Sequence, residues 1–130
     1  MHRMTRKPLC RLAAWSLLTG LLWTAHAEAA DVRHGQDVFA QECAECHSPR
    51  EGKNKKGPSL FAVAGRKAGT QADFVYSEPM LQSAIVWTPA ALDAYIANPR
   101  KAVPGGKMKY EGLADSRDRE NLIAYLSTLK

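Results

Sequence analysis

The sequence predicts an all-α fold of three to four helices joined by long loops. Three observations lead there. Near the C-terminus Leu122, Tyr125, Leu126 and Leu129 follow the i, i+3, i+4, i+7 spacing of a helix with one buried face. A hydroxyl side chain stands just ahead of a proline at Ser77-Glu78-Pro79 and at Thr88-Pro89, the combination that starts helices. No segment alternates apolar and polar residues as a half-buried strand would. With 130 residues, 45% hydrophobic and 24% charged, the chain has the composition of a globular protein and room for one core.

The first segment stands outside that core. Arg3, Arg6, Lys7 and Arg11 precede an apolar run from Leu12 to Trp23, and Ala25-His26-Ala27 follows. A basic start, an apolar middle and a small-x-small end describe a secretory signal peptide. The run has 12 residues, short of the ~20 that a membrane-spanning helix needs. We expect residues 1–27 to be removed, residues 28–130 to form the working domain, and the periplasm to be its destination. The formal charge of the whole chain is +5, which invites a nucleic-acid partner. Cleavage after Ala27 leaves 14 basic and 13 acidic residues and removes Cys10, so that reading is set aside and a single cysteine pair remains.

The elements then follow in order. From Asp31 to Cys43 the positions of Val32, Gly35, Val38, Phe39 and Cys43 suit one side of a helix. Ser48 to Pro58, rich in Lys, Gly and Asn, reads as a loop, and so does the Gly65–Gly69 stretch. Ser77 caps a short helix with Pro79 in its first turn. Thr88 caps another, which ends at Asn98 because a following proline disfavours helical backbone in the residue before it. Val103 to Lys109 is a loop. Asp115 or Ser116 caps the last helix. So much loop in so short a chain buries little apolar surface, and a non-protein group is expected to complete the core.

Cys43-Ala44-Glu45-Cys46-His47 names that group. C-x-x-C-H is the attachment signature of a c-type haem. Two cysteines three apart at a helix end can reach one edge of the macrocycle, and the adjacent histidine can send its imidazole to the iron. A closed zinc site wants four ligands, and the domain adds only His34 to Cys43, Cys46 and His47. A thioredoxin-like pair needs a βαβ context. A plain disulfide, natural in an oxidising compartment, leaves His47 without a role. For the second axial position the domain offers Met80, Met108 and His34. His34 shares its element with the attachment motif, and Met80 suits core filling. Met108 follows Pro104-Gly105-Gly106-Lys107 in a loop with little core character, which makes it the ligand candidate. His/Met ligation favours electron transfer over oxygen chemistry. It also leaves no open site for a substrate, so no enzymatic activity is expected.

With these residues in view the sequence resembles a class I cytochrome c of the mitochondrial and purple-bacterial type. The resemblance runs from Gly35 to Leu126. It rests on Gly35-x-x-x-Phe39, the Cys43–His47 motif, Gly57-Pro58-x-Leu60, Gly65-Arg66-Lys67-x-Gly69, Trp87, Tyr95-x-x-Asn98-Pro99, Pro104-Gly105-x-Lys107-Met108 and Leu122-Ile123-Ala124-Tyr125-Leu126. It implies one covalent haem c on Cys43 and Cys46, with His47 and Met108 on the iron. It further implies that the Pro58 carbonyl orients His47, that Arg66, Tyr76 and Trp87 bond a buried propionate, and that Tyr95 lies near the methionine sulfur. Gly35 would let the terminal helices approach, with Phe39 meeting Leu122 and Tyr125. Met80 departs from the common asparagine, Gly106 from a hydroxyl residue, and the loop between His47 and Gly57 is slightly short.

Charge follows position. The segments 50–67 and 100–109 hold ten basic residues and one acidic, and the rest of the domain holds four basic and twelve acidic. Such a split suits steering of a redox protein to an acidic-faced partner. We therefore expect a monomeric periplasmic electron carrier of a respiratory chain, without stable membrane insertion. Its partners would be a membrane cytochrome complex, oxidase, reductase or photosynthetic reaction centre. A haem peroxidase-like enzyme and a dedicated electron-transfer subunit of a periplasmic oxidoreductase are the competing readings.

Overall fold

The computed structural model describes residues 28–130; the signal peptide assigned to residues 1–27, with Cys10, lies outside them. Five helices, α1 Val32–Val38, α2 Glu78–Gln82, α3 Pro89–Ala97, α4 Pro99–Ala102 and α5 Ser116–Leu126, are joined by long loops. The all-α expectation holds.

Local signals set most helix ends. The Asp31 carboxylate accepts from the backbone N–H of Arg33 (2.8 Å) and His34 (3.2 Å) and so starts α1. Thr88 Oγ1 accepts from Ala91 N at 3.2 Å, with Pro89 first in α3. Asp115, rather than Ser116, caps α5, accepting from Arg117 and Asp118. Ser77 precedes α2 without a capping bond from its side chain. Asn98 ends α3 as expected, but it also caps the extra turn α4 by accepting from Lys101 N at 3.0 Å. The loop therefore starts only at Val103.

Beyond Val38 the first helix continues as a π-turn, Phe39–Cys43, in which Ala44 N bonds back to Phe39 O at 2.9 Å. One extra residue per turn rotates the following side chains relative to an ideal helix, and such turns recur at functional sites. Val32, assigned to the buried side, is exposed. A single antiparallel bridge joins Lys67 to Val86, flanked by Trp87 N to Arg66 O at 2.9 Å and Ala68 N to Ile85 O at 2.8 Å. A pairing this short leaves no alternation in sequence, yet it anchors Trp87.

The helices α1 and α5 cross at Gly35. A Cβ there would overlap the Asn121 carbonyl and lie 2.9 Å from Tyr125 Cβ. Around the crossing Phe39 meets Tyr125 with ring centroids 5.5 Å apart, Leu122 is 1% exposed, and Asp31 N donates to Asn121 Oδ1 at 2.8 Å. Arg119 joins α5 to α3 through Asp93 (2.7 Å) and to the preceding loop through the carbonyls of Leu113 and Ala114. Beyond α5, Leu129 accepts from Ala62 N at 2.8 Å, so the chain end closes over the 60s loop.

A second link between the terminal helices is titratable. His34 Nε2 lies 2.7 Å from Asp118 Oδ1, with both side chains well exposed. The Asp118 hydrogen bond raises the His34 pKa above its ordinary value, with the charges of Asp118, Asp31 and Asp37 adding and desolvation opposing. Folding therefore favours protonated His34. That stabilisation is fully present below the unfolded pKa of about 6.5 and is lost as pH rises through the higher folded value. An NMR titration of His34 should give a midpoint above that of an unfolded peptide and fall in Asp118→Asn. Equal midpoints in the two proteins would show that the pair does not act.

Candidate cofactor site

The helices and loops enclose a cavity of about 510 Å³. This lies within the ~300–1,000 Å³ of small-molecule and cofactor sites. Its walls include Leu60, Val63, Leu92, Ile96, Leu122 and Leu126, from both halves of the chain. Cys43, Cys46, His47, Pro58, Arg66, Tyr76, Trp87, Tyr95 and Met108, the nine residues named from sequence, all line it.

The π-turn and the turn after it deliver Cys43 and Cys46 to the cavity. Neither thiol is in a disulfide in this structure. Burial pushes the Cys43 thiol up to about 12, with the charge of Glu42 adding. His47 Nδ1 lies 2.8 Å from the Pro58 carbonyl. A carbonyl can only accept, so Nδ1 carries the proton and Nε2 keeps its lone pair. Burial lowers the His47 pKa, the Pro58 bond works against that, and nearby Lys55 adds to the lowering. The imidazole is thus held neutral in one tautomer, the form that a metal ligand requires.

Sequence reasoning attached no role to Gly57, yet it backs this imidazole. A Cβ on Gly57 would overlap His47 Cε1 and come within 2.8 Å of Nδ1. Its N–H donates to Cys46 O at 2.8 Å, and Lys55 Nζ donates to the Ala44 carbonyl, so the 50s loop is laced onto the C-x-x-C-H turn. The Gly57-Pro58 pair contains the only available clue, a glycine beside the proline whose carbonyl accepts from His47.

Arg66 is half-buried at another part of the wall. Its guanidinium donates to Phe61 O (2.8 Å), Gln71 Oε1 (2.7 Å) and Ser59 O (2.9 Å), all neutral acceptors. Burial lowers its pKa, with Tyr76 opposing. A half-buried cation without a carboxylate partner is costly unless an anion completes the site. Tyr76 lies beside it, its hydroxyl oxygen accepting from Gln71 N at 3.3 Å and its own O–H left to donate. Among the described residues the Trp87 indole N–H and the Tyr95 hydroxyl make no hydrogen bond to protein, and the two rings pack with centroids 5.0 Å apart. An apolar cavity with the half-buried Arg66 guanidinium and several free donors in its wall fits a large planar group bearing carboxylates.

Met80 and Met108 separate as the sequence suggested: Met80 is 9% exposed in the core, although it too touches the cavity, while Met108 is half-buried in the loop. His34 is exposed and lies outside the cavity wall.

The family model for Cytochrome c matches residues 32–130. The chain belongs to the cytochrome c family. It is 46% identical over 104 residues to cytochrome c2 of Rhodopila globiformis, covering 80% of this chain and 98% of that protein. Against cytochrome c of Euglena viridis it is 40% identical over 100 residues, covering 77% and 98%. The solved structure of cytochrome cH from Methylobacterium extorquens superposes with a TM-score of 0.71 at 39% identity, covering 76% of this chain and 99% of that one. Family membership brings a covalent haem c with its iron and places the chain among electron carriers. The class I resemblance and the all-α fold agree with these relatives.

Around the cavity the charges are less segregated than the sequence suggests. Lys56 pairs with Glu45 (2.5 Å) and Arg100 with Glu111 (2.7 Å), acidic residues from outside the basic segments. With Arg66 turned to the cavity, the exposed basic residues of these segments outside an ion pair are Arg50, Lys53, Lys55, Lys67, Lys101, Lys107 and Lys109. Lys107 and Lys109 still touch the cavity wall. Among the described residues no helix is long and apolar enough to cross a membrane.

Proposed function

We propose that the domain of residues 28–130, exported to the periplasm, is a monomeric one-electron carrier with His/Met ligation. Cys43 and Cys46 would hold haem c by thioethers, and His47 and Met108 would be the ligands of its iron. When bound, the group supplies a ferric/ferrous couple at one iron. The observation that carries this reading is the bond from His47 to the Pro58 carbonyl, 2.8 Å long, which commits Nδ1 and leaves Nε2 for a metal in the cavity that Met108 also lines.

The chain's own residues do the rest. Pro58 fixes the imidazole tautomer and raises its basicity as a ligand. Gly57 leaves space for the ring. Arg66, Tyr76 and Trp87 would offer a charge and two donors to a propionate, and Tyr95 would stand by the Met108 sulfur. The apolar wall would limit water's access to the group and, through the low local dielectric, tune its potential. A visible spectrum tests the assignment. We expect a c-type pattern and the weak ~695 nm band of ferric iron bonded to methionine; absence of that band rejects Met108 as ligand.

Lys53, Lys101, Lys107 and Lys109 would steer the domain to an acidic-faced redox partner. Electron transfer to such a partner should slow as ionic strength rises from about 0.01 to 0.15 M, because exposed charges are screened. A flat rate over that range would reject steering.

A further inference from the structure

The methionine loop is weakly held by its own backbone. Among the described residues, 107–112 contribute no backbone hydrogen bond; the ladder stops at Gly106 N to Val103 O (3.0 Å) and resumes at Leu113 N to Ile96 O (2.9 Å). Side chains hold the interval instead. Arg100 of α4 pairs with Glu111, but both side chains are exposed. Lys107 Nζ donates to the Val75 carbonyl at a long 3.2 Å. The third anchor is different. Tyr110 donates its hydroxyl to Glu42 Oε2 at 2.8 Å, joining residues 68 apart.

Glu42 sits in the π-turn, directly before Cys43, and both Glu42 and Tyr110 line the cavity. The bond therefore runs from the segment that carries the thiols to the segment that carries Met108. A neutral donor on a carboxylate is a charge-assisted hydrogen bond, stronger than a neutral pair. Tyr110 is half-buried and Glu42 exposed, so the bond lies at the surface edge of the cavity.

We propose that the Glu42–Tyr110 hydrogen bond is a tether that holds the Met108 loop closed against the cysteine-bearing turn, with Tyr110 and Glu42 as positioning residues. The inference rests on the reading of Met108 as a ligand, and the experiment separates the two. Tyr110→Phe keeps the ring and removes only the hydroxyl. In the haem-loaded ferric protein, the hydrogen-bonded amides at the two ends of the loop, Gly106 and Leu113, should exchange about fivefold faster, while α1 and α5 amides stay unchanged. The ~695 nm band should be lost at lower denaturant than in the unmutated protein, with helix unfolding unmoved. Glu42→Gln, which keeps an acceptor oxygen, should show a smaller effect. Glu42→Ala and the double variant Glu42→Ala/Tyr110→Phe should each match Tyr110→Phe, because all three remove the same bond. Unchanged loop exchange in Tyr110→Phe, or additive effects in the double variant, overturns the tether. Absence of the ~695 nm band from the unmutated protein instead overturns the ligand assignment, and loop exchange still decides the tether.

Discussion

Gly35→Ala should lower the unfolding free energy by about 2 kcal/mol, and Gly35→Val by more. The added Cβ would overlap the Asn121 carbonyl and press on Tyr125 Cβ at 2.9 Å. Neither obstacle is the far end of a flexible side chain, so no rotamer change relieves it. The helices must separate, which loosens the Phe39–Tyr125 contact and the bond from Asp31 N to Asn121. Overpacking costs ~1–3 kcal/mol, and backbone as the obstacle puts this site at or above the top of that range. Alanine's better helix propensity returns only ~1 kcal/mol. Denaturant unfolding checks the outcome, with a lower midpoint and an unchanged slope expected. Equal midpoints would mean that α1 and α5 have room to spare.

Met108→Ala should act on the site and leave the fold in place. We expect loss of the ~695 nm band, a fall in reduction potential of more than ~0.1 V within the ~0.8 V that axial ligands span, and carbon monoxide binding by the reduced protein. The fold should survive because Met108 is half-buried in a loop without backbone hydrogen bonds across 107–112. Met80→Ala makes the contrast. Met80 is 9% exposed among core residues, and its truncation should cost about 2–5 kcal/mol of stability while the band persists. Potential and spectrum would thus follow one methionine, and stability the other. Survival of the band in Met108→Ala would remove that residue from the ligand set.

The two methionines also show what each level of structure contributes. Their separation into core and loop was legible because Pro104-Gly105-Gly106 is a local signal with one local outcome. Helix starts at Asp31, Thr88 and Asp115 were legible for the same reason, since a cap bonds groups two or three residues away. The C-x-x-C-H turn is equally local. The extra turn α4 and the π-turn were not foreseen. Asn98 can both end one helix and cap the next, and a helix gains a residue per turn only where neighbouring packing rewards it.

By itself, then, the sequence determined the helical class, most helix starts and the chemistry of attachment, because those depend on residues a few positions apart. Cys43, Cys46, His47 and Met108 could be tied to one site from the residues themselves, and Pro58, Arg66, Tyr76, Trp87 and Tyr95 only through family resemblance; the convergence of all of them on one cavity is a tertiary fact. So is the close approach of Gly57 to His47, the pairing of Lys56 with Glu45 and of Arg100 with Glu111, and the reach of Tyr110 to Glu42. The three side-chain pairs join groups 11 to 68 positions apart. Packing of α1 on α5 at Gly35, and the folding of the loops against them, decides which of those groups meet.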